Sequence, residues 1–271
     1  MKVLFFGDID GKSGRAAITK LLPDLRSQYS PDLVIANGEN LAHGKGVTLR
    51  TVTEIFEAGV DVLTGGNHIF TKPEGKEVFE KFPGKIVRPA NVPDNLPGSG
   101  WIVIERDGQK IMIINLLGRV FMKEQFDFGA IGNSFTKLDE ILAEAGSQTK
   151  IKILDFHAEA TSEKRGMGFY SDGRLSAVLG THTHVQTHDA QILPGGTGYL
   201  TDLGMTGAAS SVIGVKTEGA LKRLMHEGEA APKIALEIDE GDSHEVGFVI
   251  AEIDEKTGKC QNMKAEVRIV N

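Results

Sequence analysis

Residues 3–6, 33–36 and 60–63 are short apolar runs of strand length, and the stretches between them, 16–27 and 51–58, carry apolar side chains at helical spacing. Pro31 and Gly59 mark the exits of those helical stretches. Strand, helix and strand in units of about thirty residues fold as right-handed crossovers, so a largely parallel sheet is expected. Such a sheet delivers the residues that follow its strands to one edge, however far apart they lie in the chain.

The residues at those positions share one chemistry. Asp8 follows the first run, Glu39-Asn40 the second and Asn67-His68 the third. His157 follows a fourth run at 151–154, and His182-Thr183-His184 a fifth at 177–179. All are residue types that bind hard or borderline metal ions, and their recurrence points to a dinuclear metal site. Each also has an ordinary reading. Asp8 suits a turn or a helix N-terminus, the two adjacent pairs suit turns, and a lone histidine such as His157 is usually a hydrogen-bonded structural residue. His182 and His184 are the most specific local signal, because an i, i+2 pair in an extended loop can offer two imidazoles to one cluster. His43, His188, His226 and His244 are assigned mostly to solvated surfaces, with His43 and His188 near enough to the motifs to border a pocket. Gly7 to Ser13 resembles a phosphate-binding loop only superficially, since three residues, not the required four, separate Gly7 from Gly11.

The middle and end of the chain read differently. Residues 101–105 and 110–115 flank Arg106-Asp107-Gly108-Gln109, a hairpin signal. Residues 234–238, 245–253 and 265–270 also read as strands, so an antiparallel second layer is expected, giving a sandwich of two sheets with helices outside. The proline-rich loop from Pro83 to Gly100 has the length and stiffness of loops that border sites. Phe121, Phe126 and Phe128 could stack on a base, but buried packing or a subunit contact is the stronger reading.

With 271 residues, 40% hydrophobic and 25% charged, the chain can bury a large core in one domain, with or without a small appendage. The single cysteine, Cys260, excludes an internal disulfide framework and reads as incidental in a polar tail. No apolar stretch approaches the ~20 residues of a membrane span, which favours a cytoplasmic protein without membrane contact. A net charge of −7 offers no general attraction to nucleic acid, so a phosphate-bearing substrate needs a local positive centre. Two divalent ions against the carboxylates Asp8 and Glu39 would leave about +2 there.

Together, Gly7-Asp8, Gly38-Glu39-Asn40, Gly66-Asn67-His68, His157 and Gly180-Thr181-His182-Thr183-His184 resemble the calcineurin-like metallophosphoesterases. Asp155 to Lys164, Gly180 to Thr187 and Thr201 to Gly207 resemble that superfamily's bacterial YmdB-like branch more closely. The resemblance implies a single domain over 1–271 with an α/β fold, a four-layer α/β/β/α sandwich of two mixed sheets, and a small cap formed within about 84–135. It implies that Asp8, Glu39, Asn40 and His184 hold one metal while Glu39, Asn67, His157 and His182 hold the other. Iron or manganese is the expected metal, with zinc or cobalt permitted by the same ligands. The superfamily's usual Asp-x-His is Asp8-Ile9-Asp10 here, which leaves Asp10 open as a ligand, a supporting hydrogen-bond partner or a solvent-facing substitution.

The implied activity is hydrolysis of cyclic nucleotides, 2′,3′-cyclic nucleotides foremost, by in-line attack of a metal-bridging hydroxide with His68 as general acid. A small phosphodiester or cyclic nucleotide is the expected partner, an RNA-related substrate stays open, and a homo-oligomer is expected. Two other readings compete: a phosphomonoesterase or protein phosphatase, and a weakly catalytic metal-holding regulatory protein.

Overall fold

The computed structural model describes residues 1–146, 149–226 and 235–271. Strand β1 (Lys2–Ile9) enters helix α1 (Gly11–Tyr29), followed by β2 (Leu33–Asn37), α2 (Leu49–Glu57), β3 (Val62–Thr64), α3 (Gly75–Lys81) and β4 (Ile86–Val87). These four strands lie side by side and parallel. Hairpin β5 (Trp101–Arg106) and β6 (Gln109–Leu117) then starts a second sheet. That sheet continues through α4 (Ser134–Ala145), β7 (Ile151–His157), α5 (Thr161–Tyr170), β8 (Ala177–Thr181), β9 (Gln191–Ile192) and β10 (Gly198–Leu200). The chain returns to the first sheet with β11 (Met205–Ala208), passes α6 (Thr217–Met225), and ends in β12 (His244–Ile253) and β13 (Cys260–Val270).

The first sheet has the order β13-β12-β11-β1-β2-β3-β4, the second β5-β6-β7-β8-β10-β9, and both mix parallel with antiparallel pairs. Alternation along the strands explains the layering. Val3, Phe5, Leu33 and Ile35 pack with Ile111, Ile113, Ile153 and Leu179 between the sheets. Their neighbours Leu4, Phe6, Val34 and Ala36 face Ile18, Leu22, Leu25 and Ile55 of the outer helices. On the far side, Ile114, Leu116, Leu154 and Phe156 meet Leu138, Ile141 and Met167 of α4 and α5. Every strand residue of β1 from Val3 onward is buried, which is why its sequence reads as a continuous apolar run rather than an alternating one. The four-layer α/β/β/α sandwich is thus built from two faces of each sheet.

Several expectations need correction. The second sheet is not antiparallel throughout, because β6, β7, β8 and β10 run parallel. Residues 245–253 and 265–270 are strands, but β12 and β13 extend the first sheet; alternation predicts a strand without saying which sheet it joins. Of the expected strand 234–238, Ile234 lies outside the described residues, and within the rest only Ile238 pairs, through an isolated bridge to Val215. Cys260 is buried, 4% exposed, at the start of β13 and not in a polar tail. Among the described residues no helix is long and apolar enough to cross a membrane.

Residues 84–135 contribute β4, β5 and β6 to the sheets and a small cluster of Val92, Leu117, Met122, Phe126 and Ile131 beside them. Phe126 is buried in that cluster, and Phe128 packs edge-on against Phe126 and Phe70, so both serve packing. Phe121 is exposed and lines a separate surface hollow with Arg119 and Phe135.

Candidate metal centre

The carboxyl ends of β1, β2 and β3 from one sheet meet those of β7 and β8 from the other, and all seven expected ligands gather there. The tightest group surrounds His157. Its Nε2 lies 2.9 Å from Asn67 Oδ1, 3.3 Å from Glu39 Oε1 and 3.1 Å from His182 Nδ1. The surrounding bonds fix which of these atoms carry lone pairs. Thr181 Oγ1 donates to Asp155 at 2.6 Å and so accepts the Nδ1–H of His157 at 2.9 Å, leaving Nε2 unprotonated in the neutral ring. His182 Nε2 faces Glu159 at 2.9 Å, which leaves its Nδ1 as the acceptor. Two imidazole nitrogens, an amide oxygen and a carboxylate oxygen thus converge as lone pairs on one point, an arrangement that repels itself until a cation joins it.

The second group is Asp8, Asn40 and His184. His184 Nδ1 donates to the Ile213 carbonyl at 2.9 Å, so its Nε2 points at Asn40 as an acceptor, 3.2 Å from Nδ2. Asp8 accepts the His182 backbone N–H on Oδ2 at 3.0 Å, while its Oδ1 has no hydrogen-bond partner. Asn40 Oδ1 is also buried without one. Buried acceptors of this kind are uncommon unless an ion satisfies them, and Asp8 is completely inaccessible. The donor set therefore fits bound metal, with Glu39, His157 and His182 close enough to share one ion. Glu39 joins the two groups, its Oε2 held by the His68 backbone N–H at 2.9 Å.

The electrostatics follow from this crowding. Burial works against charge on His157, but Glu39, Asp8 and Asp155 outweigh it and lift the ring to about 9, so that without an ion a proton on Nε2 takes the cation's place among these acceptors. Burial and then the charge of His157 depress His182 to about 2. Burial would raise Glu39, yet His157 and His68 hold it below the usual carboxylate range. Burial, joined by the charges of Glu39 and Asp202, lifts Asp8 against the pull of His157 and His184.

His68 is half-buried in the cavity wall, its Nε2 3.3 Å from Asn67 Nδ2, and burial lowers its proton affinity. Asp10 is 2% exposed and lines the same cavity, which removes the solvent-facing reading. Burial raises its carboxyl to about 7. His43 also lines the cavity, whereas His188 does not, and His244 bonds Ser13 elsewhere.

Supporting residues escaped the sequence reading. Asn37 donates to Asp155 and to the Gly65 carbonyl, both at 2.9 Å, and Thr64 donates to the same Asp155. Lys164, 1% exposed, donates to the Thr181 carbonyl at 2.7 Å and pairs with Asp202, whose carboxylate accepts the Thr183 and Gly204 backbone N–H groups. This buried pair pins the loop in which His182 and His184 adopt φ of 99° and 63°, values that only an over-determined surrounding holds in non-glycine residues. The available signal was a polar residue ending each otherwise apolar strand.

Two mixed sheets between helices, with this donor set at their shared edge, define the calcineurin-like metallophosphoesterase class. A Staphylococcus aureus structure described as a 5′-nucleotidase shares the fold, with a TM-score of 0.64 at 16% identity over 98% of this chain and 54% of that one. The chain belongs to the YmdB-like family, whose sequence model matches residues 4–265. It is 41% identical over 271 residues to a 2′,3′-cyclic-nucleotide 2′-phosphodiesterase of Bacillus subtilis (strain 168), covering 100% of this chain and 97% of the relative. A Mycoplasma pneumoniae crystal structure described as a novel phosphatase superposes with a TM-score of 0.90 at 36% identity, over 99% and 93% of the two chains.

Proposed function

We propose that this protein is a dinuclear metal-dependent phosphodiesterase that opens 2′,3′-cyclic nucleotides. The observation that carries the reading is the convergence of His157 Nε2, His182 Nδ1, Asn67 Oδ1 and Glu39 Oε1 beside the unpartnered Asp8 Oδ1 and Asn40 Oδ1. Asp8, Glu39, Asn40 and His184 would hold one ion and Glu39, Asn67, His157 and His182 the other, with iron or manganese the metal this mixed donor set suits. Bound there, the ions supply Lewis acidity toward the phosphate and an activated water nucleophile.

The chain's own residues do the rest. Thr181 and Asp155 keep the His157 ring in one tautomer, and Ile213 does the same for His184. His68 lies beside the donor cluster and within the cavity, where it can protonate the leaving alkoxide. Burial lowers its proton affinity, and an anionic diester arriving beside it favours the protonated ring. The likeness to the Bacillus enzyme supports the substrate class.

The test is metal content after purification, then turnover of 2′,3′-cyclic nucleotides, small monoesters and phosphopeptides with each metal restored. His68→Ala should lose about 10²–10⁴-fold in turnover while keeping its metal. Preference for monoesters would instead support a phosphatase, in line with the Mycoplasma relative's description. Metal-loaded protein inert to all three classes would sink both enzymatic readings.

A further inference from the structure

The metal cavity, about 580 Å³ in volume, has a second part of different chemistry, lined by Ile213, Val215, Leu236 and Ile238. Val212 and Val215 exchange both backbone hydrogen bonds, at 2.9 and 3.1 Å, which makes Ile213 and Gly214 the two central residues of a tight hairpin. Their φ angles are 48° and 99°. Positive φ at both positions is the pattern of a turn that ordinarily takes Asn-Gly, Asp-Gly or Gly-Gly. A β-branched isoleucine is among the residues least suited to it. Gly214 is required, since a Cβ there would stand 2.0 Å from Asp10 Oδ2. Among the described residues nothing comparable requires Ile213, which is 52% exposed and gains little from burial. Its carbonyl, meanwhile, holds the ring of His184. Val215 bridges to Ile238, which in turn rests on Gly44, where a Cβ would meet Ile238 Cδ1 at 2.2 Å.

A strained turn that presents a branched apolar side chain to the cavity, beside a metal-ligand histidine, is unexplained by folding. Asparagine would make the same turn with less strain. We propose that Ile213, Val215, Leu236 and Ile238 form the seat of the substrate's nucleobase, and that Ile213 determines the preference for base-bearing diesters. This rests on the phosphodiesterase reading above. A wall of aliphatic groups complements the flat apolar face of a heterocycle and offers no hydrogen bonds to a peptide backbone. Because one residue supplies both the wall and the His184 contact, the seat stands in a set relation to the metal ligands.

The test compares kcat/KM for adenosine 2′,3′-cyclic phosphate with that for glycerol 1,2-cyclic phosphate, which has the ring diester and no base. Metal-loaded wild type and Ile213→Asn are used, and the turn chemistry of asparagine should leave the variant at least as stable as the parent. The ratio of the two constants should fall about tenfold in Ile213→Asn, mainly through KM for the nucleotide. The rise in melting temperature given by adenosine 3′-monophosphate, beyond that given by inorganic phosphate, should shrink in parallel. An unchanged ratio, or a wild type that treats both diesters alike, overturns the base seat and leaves the phosphodiesterase reading standing. If the wild type hydrolyses neither diester, the phosphodiesterase reading fails, and the monophosphate's effect on melting, lost or kept in the variant, decides the seat by itself.

Discussion

Gly66 lies so close to Glu39 that a β-carbon on it would stand 2.0 Å from the carboxylate Oε2, and 2.5 Å from His157 Nε2. The space that any side chain would take at position 66 belongs to the donor cluster. Gly66→Ala must therefore push Glu39 or His157 aside, and a displacement of about 1 Å at a reacting centre costs on the order of 10²-fold in rate. Turnover and metal content measured together should both collapse in this variant, while its far-ultraviolet circular dichroism stays native.

Thr181 passes a hydrogen bond from His157 to Asp155, and valine has nearly its shape. Thr181→Val leaves the Nδ1–H of His157 and an oxygen of Asp155 without their shared partner, at a cost of about 1–3 kcal/mol. Freed of its fixed tautomer, His157 should bind metal about 10–100-fold more weakly. Titration with Mn²⁺ followed by calorimetry reads this directly, and an unchanged affinity would show that the hydroxyl does not orient the ring.

Removal of metal should destabilise the whole domain, because the converging acceptors come from both sheets. A chelator should lower the melting temperature, and Mn²⁺ or Fe²⁺ at about 100 times its dissociation constant should restore about 2.7 kcal/mol. Magnesium, which prefers oxygen ligands and keeps its waters, should restore much less. Differential scanning calorimetry with each ion makes the comparison.

Glu266 governs an acid-side transition away from the site. Burial would raise its carboxyl, but Lys264 at 2.7 Å, Tyr29 at 2.5 Å and Arg268 at 3.0 Å override it and hold it at about 2, against an ordinary 4.5. A carboxyl lowered in the folded state contributes stability above its unfolded value and loses it as pH falls through the folded one. The contribution should therefore be complete above about pH 4.5 and vanish toward pH 2. In Glu266→Gln, urea unfolding should be weaker near neutrality and shallower in its pH dependence across that window.

Much of the candidate site was legible because β1, β2, β3 and β8 are buried on both faces and carry apolar runs, as does β7 apart from Lys152, so that Asp8, Glu39, Asn67, His157 and His182 stand out at or just beyond their ends. The partner sheet of β12 and β13 was not legible, since period-two patterning specifies a strand's faces and leaves its neighbours open. Asn37, Thr64, Asp155 and Thr181 look like ordinary strand ends in sequence. Their role appears only when two sheets place them against one another. Ile213 was hidden for a different reason: its positive φ runs against its residue type, and no local rule anticipates a conformation that the surrounding structure imposes.

Strand β1 pairs with β12 along residues 2–6 and with β11 at Asp8 and Ile9. On a ribosome, the segment bearing Asp8 gains β2 early, but β11 and β12 are translated almost two hundred residues or more later. Its carboxylate therefore lacks the His182 backbone N–H and the β11 strand beside it during most of translation, and any metal captured there would follow the docking of those later segments.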